Sequence, residues 1–180
     1  GNTLIDRRVG RSLTTEEATE LGKAINKKIK LESYPASFEF KSTIGHRGAL
    51  VIRSKEKRLS GNISNTDPAY ARIKGIGVAK PEAKMILRKC KPMDKTEEAK
   101  ISANLVNEFI EKSRAILEEH EVNKRRVAEG KLSANVVLTR DAGHRLPKFF
   151  NINERYGLRF VCLADMPIEK GISKLAGMHM

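Results

Sequence analysis

Thr43-Ile44-Gly45-His46-Arg47-Gly48-Ala49-Leu50-Val51-Ile52-Arg53 sets two glycines around a His–Arg pair and runs directly into apolar residues with β character. The run predicts a strand from Gly48 to Ile52, continuously apolar and therefore deeply buried. A glycine on each side lets the backbone take a positive φ or lets a ligand come close. Arginine brings a planar, permanently charged fork, and histidine a charge that switches near neutral pH. At the mouth of a strand, His46 and Arg47 are thus a candidate anion-recognition pair. A tight turn carrying two solvated basic side chains accounts for the same residues, so the rest of the chain has to decide.

Upstream, Phe38 and Phe40 alternate with Ser37, Glu39 and Lys41, which predicts a half-exposed strand. Thr14 with Glu17 forms a capping box, and Ala18, Leu21, Ile25 and Ile29 recur at helical spacing, predicting a helix from Thr14 to about Lys30. Asn2 to Ile5 reads as a short strand ending in Asp6, Arg7 and Arg8. Downstream, Ser54 to Met93 is the least regular region, with Asn65-Thr66-Asp67-Pro68 as a turn. Asp94 and Glu97 form a second possible capping box. Ala99, Ala103, Val106, Ile110, Ser113 and Leu117 then mark one face of a long helix ending near Glu119. Val122 to Glu129 predicts a shorter helix stopped by Gly130, and Val136 to Leu138 a buried strand followed by the basic loop Arg140 to Arg145. Tyr156 and Gly157 end a short helix, Phe160 to Leu163 is a last strand, and Ile168 to Ala176 a last helix behind Pro167. Strands alternating with helices predict an α/β domain, a two-layer mixed sheet with flanking helices, spanning residues 1–180 as one unit.

Composition narrows the function classes. The chain has 180 residues, 39% hydrophobic and 32% charged, which describes a folded, soluble protein. No apolar run approaches membrane-spanning length and no signal peptide opens the chain, so no membrane role is expected. It starts at Gly1, not Met, with a strand at once, and reads as an excised piece of a longer protein. Cys90 and Cys162 have neither metal-ligand spacing nor a disulfide framework, which suits a reducing cytoplasm. The net charge of +13 makes nucleic acid the first suspect. Yet there is no Trp, with only three Tyr and six Phe, and no aromatic-basic interleaving of the stacking kind. The lysines share their helices with glutamates, as on solvated, heat-adapted surfaces. Phosphorylated small molecules exploit the same positive field. His46, His120, His144 and His179 have no carboxylates at ligand spacing, no serine sits in a nucleophile elbow, and no phosphate-cradling glycine loop is present.

The chemistry-bearing residues gather at predicted strand ends, where open α/β sheets collect ligands. Arg7 and Arg8 follow the first strand, His46 and Arg47 introduce another, and Arg140, with His144 four residues on, follows a third. Arginine forks converging there would bind phosphate or carboxylate bidentately. Lys170, before Gly171 at a predicted helix start, adds its ammonium to the positive end of a helix dipole. Each has a simpler structural explanation: a surface pair for Arg7 and Arg8, a turn cap for His144, turn chemistry for Asp67, a solvated helix face for Lys124-Arg125-Arg126.

Taken together the stretches Ile5 to Arg11, Gly45 to Gly48 with Leu50 and Val51, and Asn65 to Pro68 carry a resemblance. So do Val122 to Arg126 with Gly130, Ala134-Asn135 with Leu138 to Arg140, Lys170 to Ile172, and Gly177-Met178. In order and spacing the chain resembles the archaeal-type, cofactor-independent phosphoglycerate mutases of the alkaline phosphatase superfamily, over nearly its whole length. Asn65 departs from an expected Asp, and Asp141 from a usual Gly. The resemblance implies an isomerase that moves phosphate between the 3- and 2-hydroxyls of glycerate through a phosphoserine, in glycolysis and gluconeogenesis. It needs no 2,3-bisphosphoglycerate. It implies two divalent ions (Mn, Zn or Mg) in the full-length enzyme, held with the serine by a metal-binding catalytic domain outside this chain. This chain resembles the inserted substrate-binding domain, which binds no metal of its own and is expected inactive alone. Arg7, Arg140 and Lys170 are implied as the main contacts to 3-phosphoglycerate and 2-phosphoglycerate, with His46 and Arg47 next and Arg8 and His144 after them. A basic nucleic-acid-binding module is the rival from another class; it predicts steep salt dependence with oligonucleotides. A purely structural interaction domain predicts no anion preference.

Overall fold

A computed structural model describes every residue of the chain except Gly1, Lys74, Gly75, Pro81 and Pro147, so the reading of Gly1 falls outside it. The chain forms two compact units, Gly1–His144 and Arg145–Met180.

In the first unit, α1 (Thr15–Lys28) begins at the expected capping box: Glu17 N–H donates to Thr14 Oγ1 (3.2 Å), and Thr14 N–H to Glu17 Oε2 (3.0 Å). β1 (Ser37–Ser42) and β2 (Gly48–Arg53) pair antiparallel, with Phe40 opposite Leu50 and Ser42 opposite Gly48. Phe38 and Phe40 turn inward onto Phe109 of α2 (Glu97–Glu118), with ring centroids 5.2 and 5.9 Å away. Leu21, Ile25, Phe109 and Val122 lie at the centre of this core. A second antiparallel hairpin joins β3 (Tyr70–Ile73) to β4 (Ile76–Ala79), and α3 (Glu121–Ala128) follows α2 closely.

Three helical asparagines act as strand partners for backbone that lacks one. The Asn26 amide exchanges two hydrogen bonds with Phe40 (2.6 and 2.9 Å), the Asn107 amide two with Cys90 (2.8 and 2.9 Å), and the Asn123 amide two with Ala134 (2.8 and 3.1 Å). Each satisfies one backbone N–H and one C=O, and at the buried Ala134 groups this removes the cost of leaving them unpaired.

The α/β class with flanking helices holds, with the strands divided between two small sheets. Several expectations are corrected. β2 alternates between exposed and half-buried residues, with Val51 40% exposed, because a two-stranded sheet covers one face only. The first expected strand reduces to a bridge between Thr3 and Ile86, and Phe160 to Leu163 to a parallel bridge between Val161 and His179. Residues 136–138 form no strand; the neighbouring backbone is satisfied by Asn123, Thr66 and Asn65 side chains. The second long helix is capped by Thr96, whose Oγ1 accepts from Ala99 N–H at 3.3 Å, while Asp94 braces Thr96 rather than capping the helix itself.

Arg126 is the largest correction. The run Lys124–Arg126 is no uniformly solvated face: the Arg126 side chain is fully buried. Its Nε donates to Leu132 O (2.9 Å), Nη1 to Glu17 Oε2 (2.6 Å) and Ser12 O (3.2 Å), and Nη2 to Ser12 Oγ (2.8 Å).

In the second unit, Asn151 caps α4 (Ile152–Tyr156), and Gly157 ends it in the left-handed region at φ 62°. Asn153 accepts from Phe160 N–H at 2.7 Å and donates to Gly177 O, tying the bridge strand to the turn after α5 (Pro167–Leu175).

Candidate anion-binding site

Arg7 and Arg140, distant in sequence, meet at one aromatic ring. The Arg7 guanidinium carbon lies 5.7 Å from the Tyr70 ring centroid and that of Arg140 4.0 Å from it. Arg7 also pairs with Asp67, its Nη1 3.3 Å from each carboxylate oxygen, in a part-buried setting with side chains 19% and 11% exposed. Asp67 is therefore more than a turn residue, although Oδ1 does accept from Ala69 N–H at 3.0 Å.

The backbone that presents Arg140 is locked on both sides. Before it, Thr139 N–H donates to Thr66 Oγ1 (2.8 Å) and Thr139 O accepts from Thr66 N–H (2.9 Å). After it, Asp141 N–H donates to Asn65 Oδ1 (3.1 Å), while Asn65 Nδ2 donates to Tyr70 O (3.3 Å). An amide can accept and donate at once where a carboxylate can only accept, which gives the Asn65 departure a physical role. Asp141 stands at φ 58°, a region that glycine occupies at lower cost. Its carboxylate lies 3.6 Å from Arg140 Nε and fills the space a side chain at Gly77 would need. Two residues on, Gly143 and His144 pass so close to Gly61 that a Cβ there would sit 2.8 Å from Gly143 Cα.

A second cationic group surrounds His46. Burial first, then the charges of Arg47, Arg8 and Arg11, hold the imidazole below its ordinary pKa. Gly45 takes φ 54°, whereas Gly48 is required for packing: a Cβ there would come within 2.9 Å of the Phe40 ring. The second glycine thus serves the fold and not a ligand. Arg8 lies at a turn in which Val9, Gly10 and Arg11 all have positive φ (56°, 60° and 55°). A β-branched residue in that region is strained. Asp6 Oδ1 holds the turn by accepting from Arg8 N–H (2.6 Å) and Gly10 N–H (3.1 Å), which lowers its own pKa. Arg126 clamps the exit through Ser12.

His144 is exposed, and its Nδ1 accepts from Gly61 N–H at a long 3.4 Å. Lys170 belongs to the second unit, exposed in the first turn of α5 in a shallow cleft with Cys162, Asp165 and Met180. Sequence reasoning selected the arginines but passed over Tyr70, Asp67 as an ion-pair partner, Arg11, and the Thr66–Thr139 lock. Among the described residues, no three His, Cys, Asp or Glu side chains group so as to hold a metal ion.

Among the described residues, Arg7 bonds Asp67 through Nη1 alone and Arg140 lies against the Tyr70 ring, an arrangement whose remaining N–H groups can donate to a small anion. A family model described as 2,3-bisphosphoglycerate-independent phosphoglycerate mutase matches residues 1–123. The chain is 43% identical over 179 residues to the enzyme of that name from Aeropyrum pernix, and 37% identical over 175 residues to that from Methanosphaera stadtmanae. Each alignment covers 97% of this chain, but only 41% and 38% of the relative. The fold matches a cofactor-independent phosphoglycerate mutase of Thermoplasma acidophilum with TM-score 0.64 and 30% identity, over 99% of this chain and 43% of that one. The chain belongs to the 2,3-bisphosphoglycerate-independent phosphoglycerate mutase family. It spans about two fifths of the length of the curated relatives it matches.

Proposed function

We propose that this chain is the substrate-binding part of a phosphoglycerate mutase, an isomerase that interconverts 3-phosphoglycerate and 2-phosphoglycerate in glycolysis and gluconeogenesis. The observation that carries the reading is the pair Arg7 and Arg140. Both hydrogen bonds of Arg7 to Asp67 leave from Nη1, and Arg140 is held mainly by its π-face. Edge N–H groups therefore remain for phosphate or carboxylate oxygens. Lys170 on the second unit is a further candidate substrate contact, and Arg8, His46, Arg47 and His144 are the remaining candidates on the first.

The work of such a part is positioning and electrostatic stabilisation of a trianionic substrate. Closure onto the catalytic part excludes water and keeps a phosphoserine from hydrolysing. The serine and the divalent ions (Mn, Zn or Mg) are assigned to that catalytic, alkaline-phosphatase-like part. Both compact units are assigned to one inserted substrate-binding domain, in a cytoplasmic enzyme that uses neither nucleic acid nor membrane. No helix among the described residues is long and apolar enough to cross a membrane. The pure 180-residue chain is expected to show no mutase turnover in a coupled enolase assay, yet to bind 3-phosphoglycerate. Turnover by the pure chain would contradict the assignment of the chemistry elsewhere.

A further inference from the structure

The geometry points to Tyr70 as a positioning residue that sets Arg140 and Arg7 at the separation an anionic substrate needs, through its ring face and not its hydroxyl. The inference rests on the substrate-binding reading of these two arginines. Tyr70 opens β3, and its own place is fixed by the segment before it: its N–H donates to Asp67 O (3.4 Å) and its carbonyl accepts from Asn65 Nδ2 (3.3 Å). Those same residues hold the arginines, since Asp67 pairs with Arg7 and Asn65 takes the N–H that follows Arg140. The ring is thus the hub of a short closed circuit, Arg7–Asp67–Tyr70–Asn65–Asp141–Arg140.

Two guanidinium groups brought to one spot repel each other, and something must offset that before an anion arrives. Asp67 does so for Arg7 at the expense of donors on Nη1. A second carboxylate gripping Arg140 bidentately would use up the N–H edge a substrate needs. A ring face attracts the cation through its quadrupole and leaves every N–H free. At 4.0 Å the Arg140 guanidinium is in stacking contact, while its side chain stays 46% exposed, open to a ligand from solution. Among the described residues, the one carboxylate paired with Arg140, that of Asp141, sits 3.6 Å from its Nε, beyond hydrogen-bonding distance. No hydrogen bond from the Tyr70 hydroxyl ties it to the described residues, so Phe preserves the role and Leu removes it.

The test is solution NMR of the 180-residue chain as wild type, Y70F and Y70L, with folding verified from the backbone amide spectrum. The ring should shift the Arg140 side-chain proton resonances upfield in wild type and Y70F, and these should return to ordinary positions in Y70L. Titration with 3-phosphoglycerate and with inorganic phosphate, followed at the Nε–H signals of Arg7 and Arg140, should show Y70F binding like wild type. Y70L should bind about three- to tenfold more weakly, the range of a partly desolvated cation–π contact. Unshifted Arg140 protons in the wild type would overturn the inference without any variant, as would equal affinities for wild type and Y70L. Ring-current shifts with no phosphoglycerate binding by the wild type would support the placement of Arg140 while overturning the substrate-binding reading.

Discussion

Two arginine sites in the first unit show opposite uses of the same side chain. Arg126, at the junction of α3 with the start of α1, is fully buried and spends its fork on Glu17, Leu132 and Ser12. Arg7 and Arg140, where the 65–70 and 139–141 segments cross, are only partly covered and keep donors in reserve. A saturated guanidinium fastens the fold; an unsaturated one, held by a long ion pair or a ring face, is fit to grip something else. The two are mechanically linked, because Arg126 clamps Ser12 at the end of the strained turn that begins after Arg8.

The comparison breaks most visibly at Arg126. R126M leaves the Glu17 carboxylate without its partner and the Leu132 and Ser12 acceptors unpaired, and should cost about 3–5 kcal/mol in urea unfolding. A change under about 1 kcal/mol, the range of a surface pair, would show that this arginine is no fastener.

A pH titration separates fold from site next. Burial tends to raise the pKa of Glu108, but hydrogen bonds from Lys112, Ser33 and the backbone of Glu32 and Ser33 outweigh it and bring the carboxyl down to about 2. Its folded pKa lies below the unfolded one, so its stabilisation is full above the ordinary carboxylate range and is lost as pH falls from there toward about 2. Urea midpoints measured between neutral pH and pH 2 should fall less steeply for E108Q than for wild type; parallel curves would refute the assignment.

At His46 the direction is reversed by ligand. Its pKa is depressed in the free chain by burial and by Arg47, Arg8 and Arg11, so protonation on acidification favours the unfolded state. Phosphoglycerate bound beside it should move the imidazole titration upward in NMR, and an unchanged midpoint would remove His46 from the site. The smallest effect belongs to Asp141, at φ 58°. D141G relieves that conformation and takes an acid away from Arg140. It should change stability by no more than about 1 kcal/mol while tightening phosphate binding at low salt. Weaker binding would show instead that Asp141 orients Arg140.

How far the sequence foretold this depended on whether a signal was local. The Thr14–Glu17 box and the Phe38/Phe40 alternation need no distant partner, and both stand in the structure. Arg7 and Arg140 could be selected as residues at the ends of expected strands, although the first strand reduces to a bridge and none forms at 136–138. Tyr70 had no such cue: its importance arises only when residues 66 and 139 lock together. Asn26, Asn107 and Asn123 look like ordinary helix-surface residues until the backbone each one clamps is known. Arg126 did carry a weak sign, standing one helical turn after buried Val122, but two neighbouring basic residues disguised it. The strand expected at 136–138 failed because apolar, β-branched residues also suit an extended segment satisfied by side chains.

The most direct measurement is a titration of the 180-residue chain with 3-phosphoglycerate at two salt concentrations, following amide and arginine Nε–H shifts, with a short RNA as control. Binding of phosphoglycerate as a small anion in the first unit predicts saturable shifts concentrated at Arg7, His46, Arg47, Arg140 and their neighbours, weakening only modestly with salt. Broad, steeply salt-dependent shifts with RNA, and none with phosphoglycerate, would contradict it.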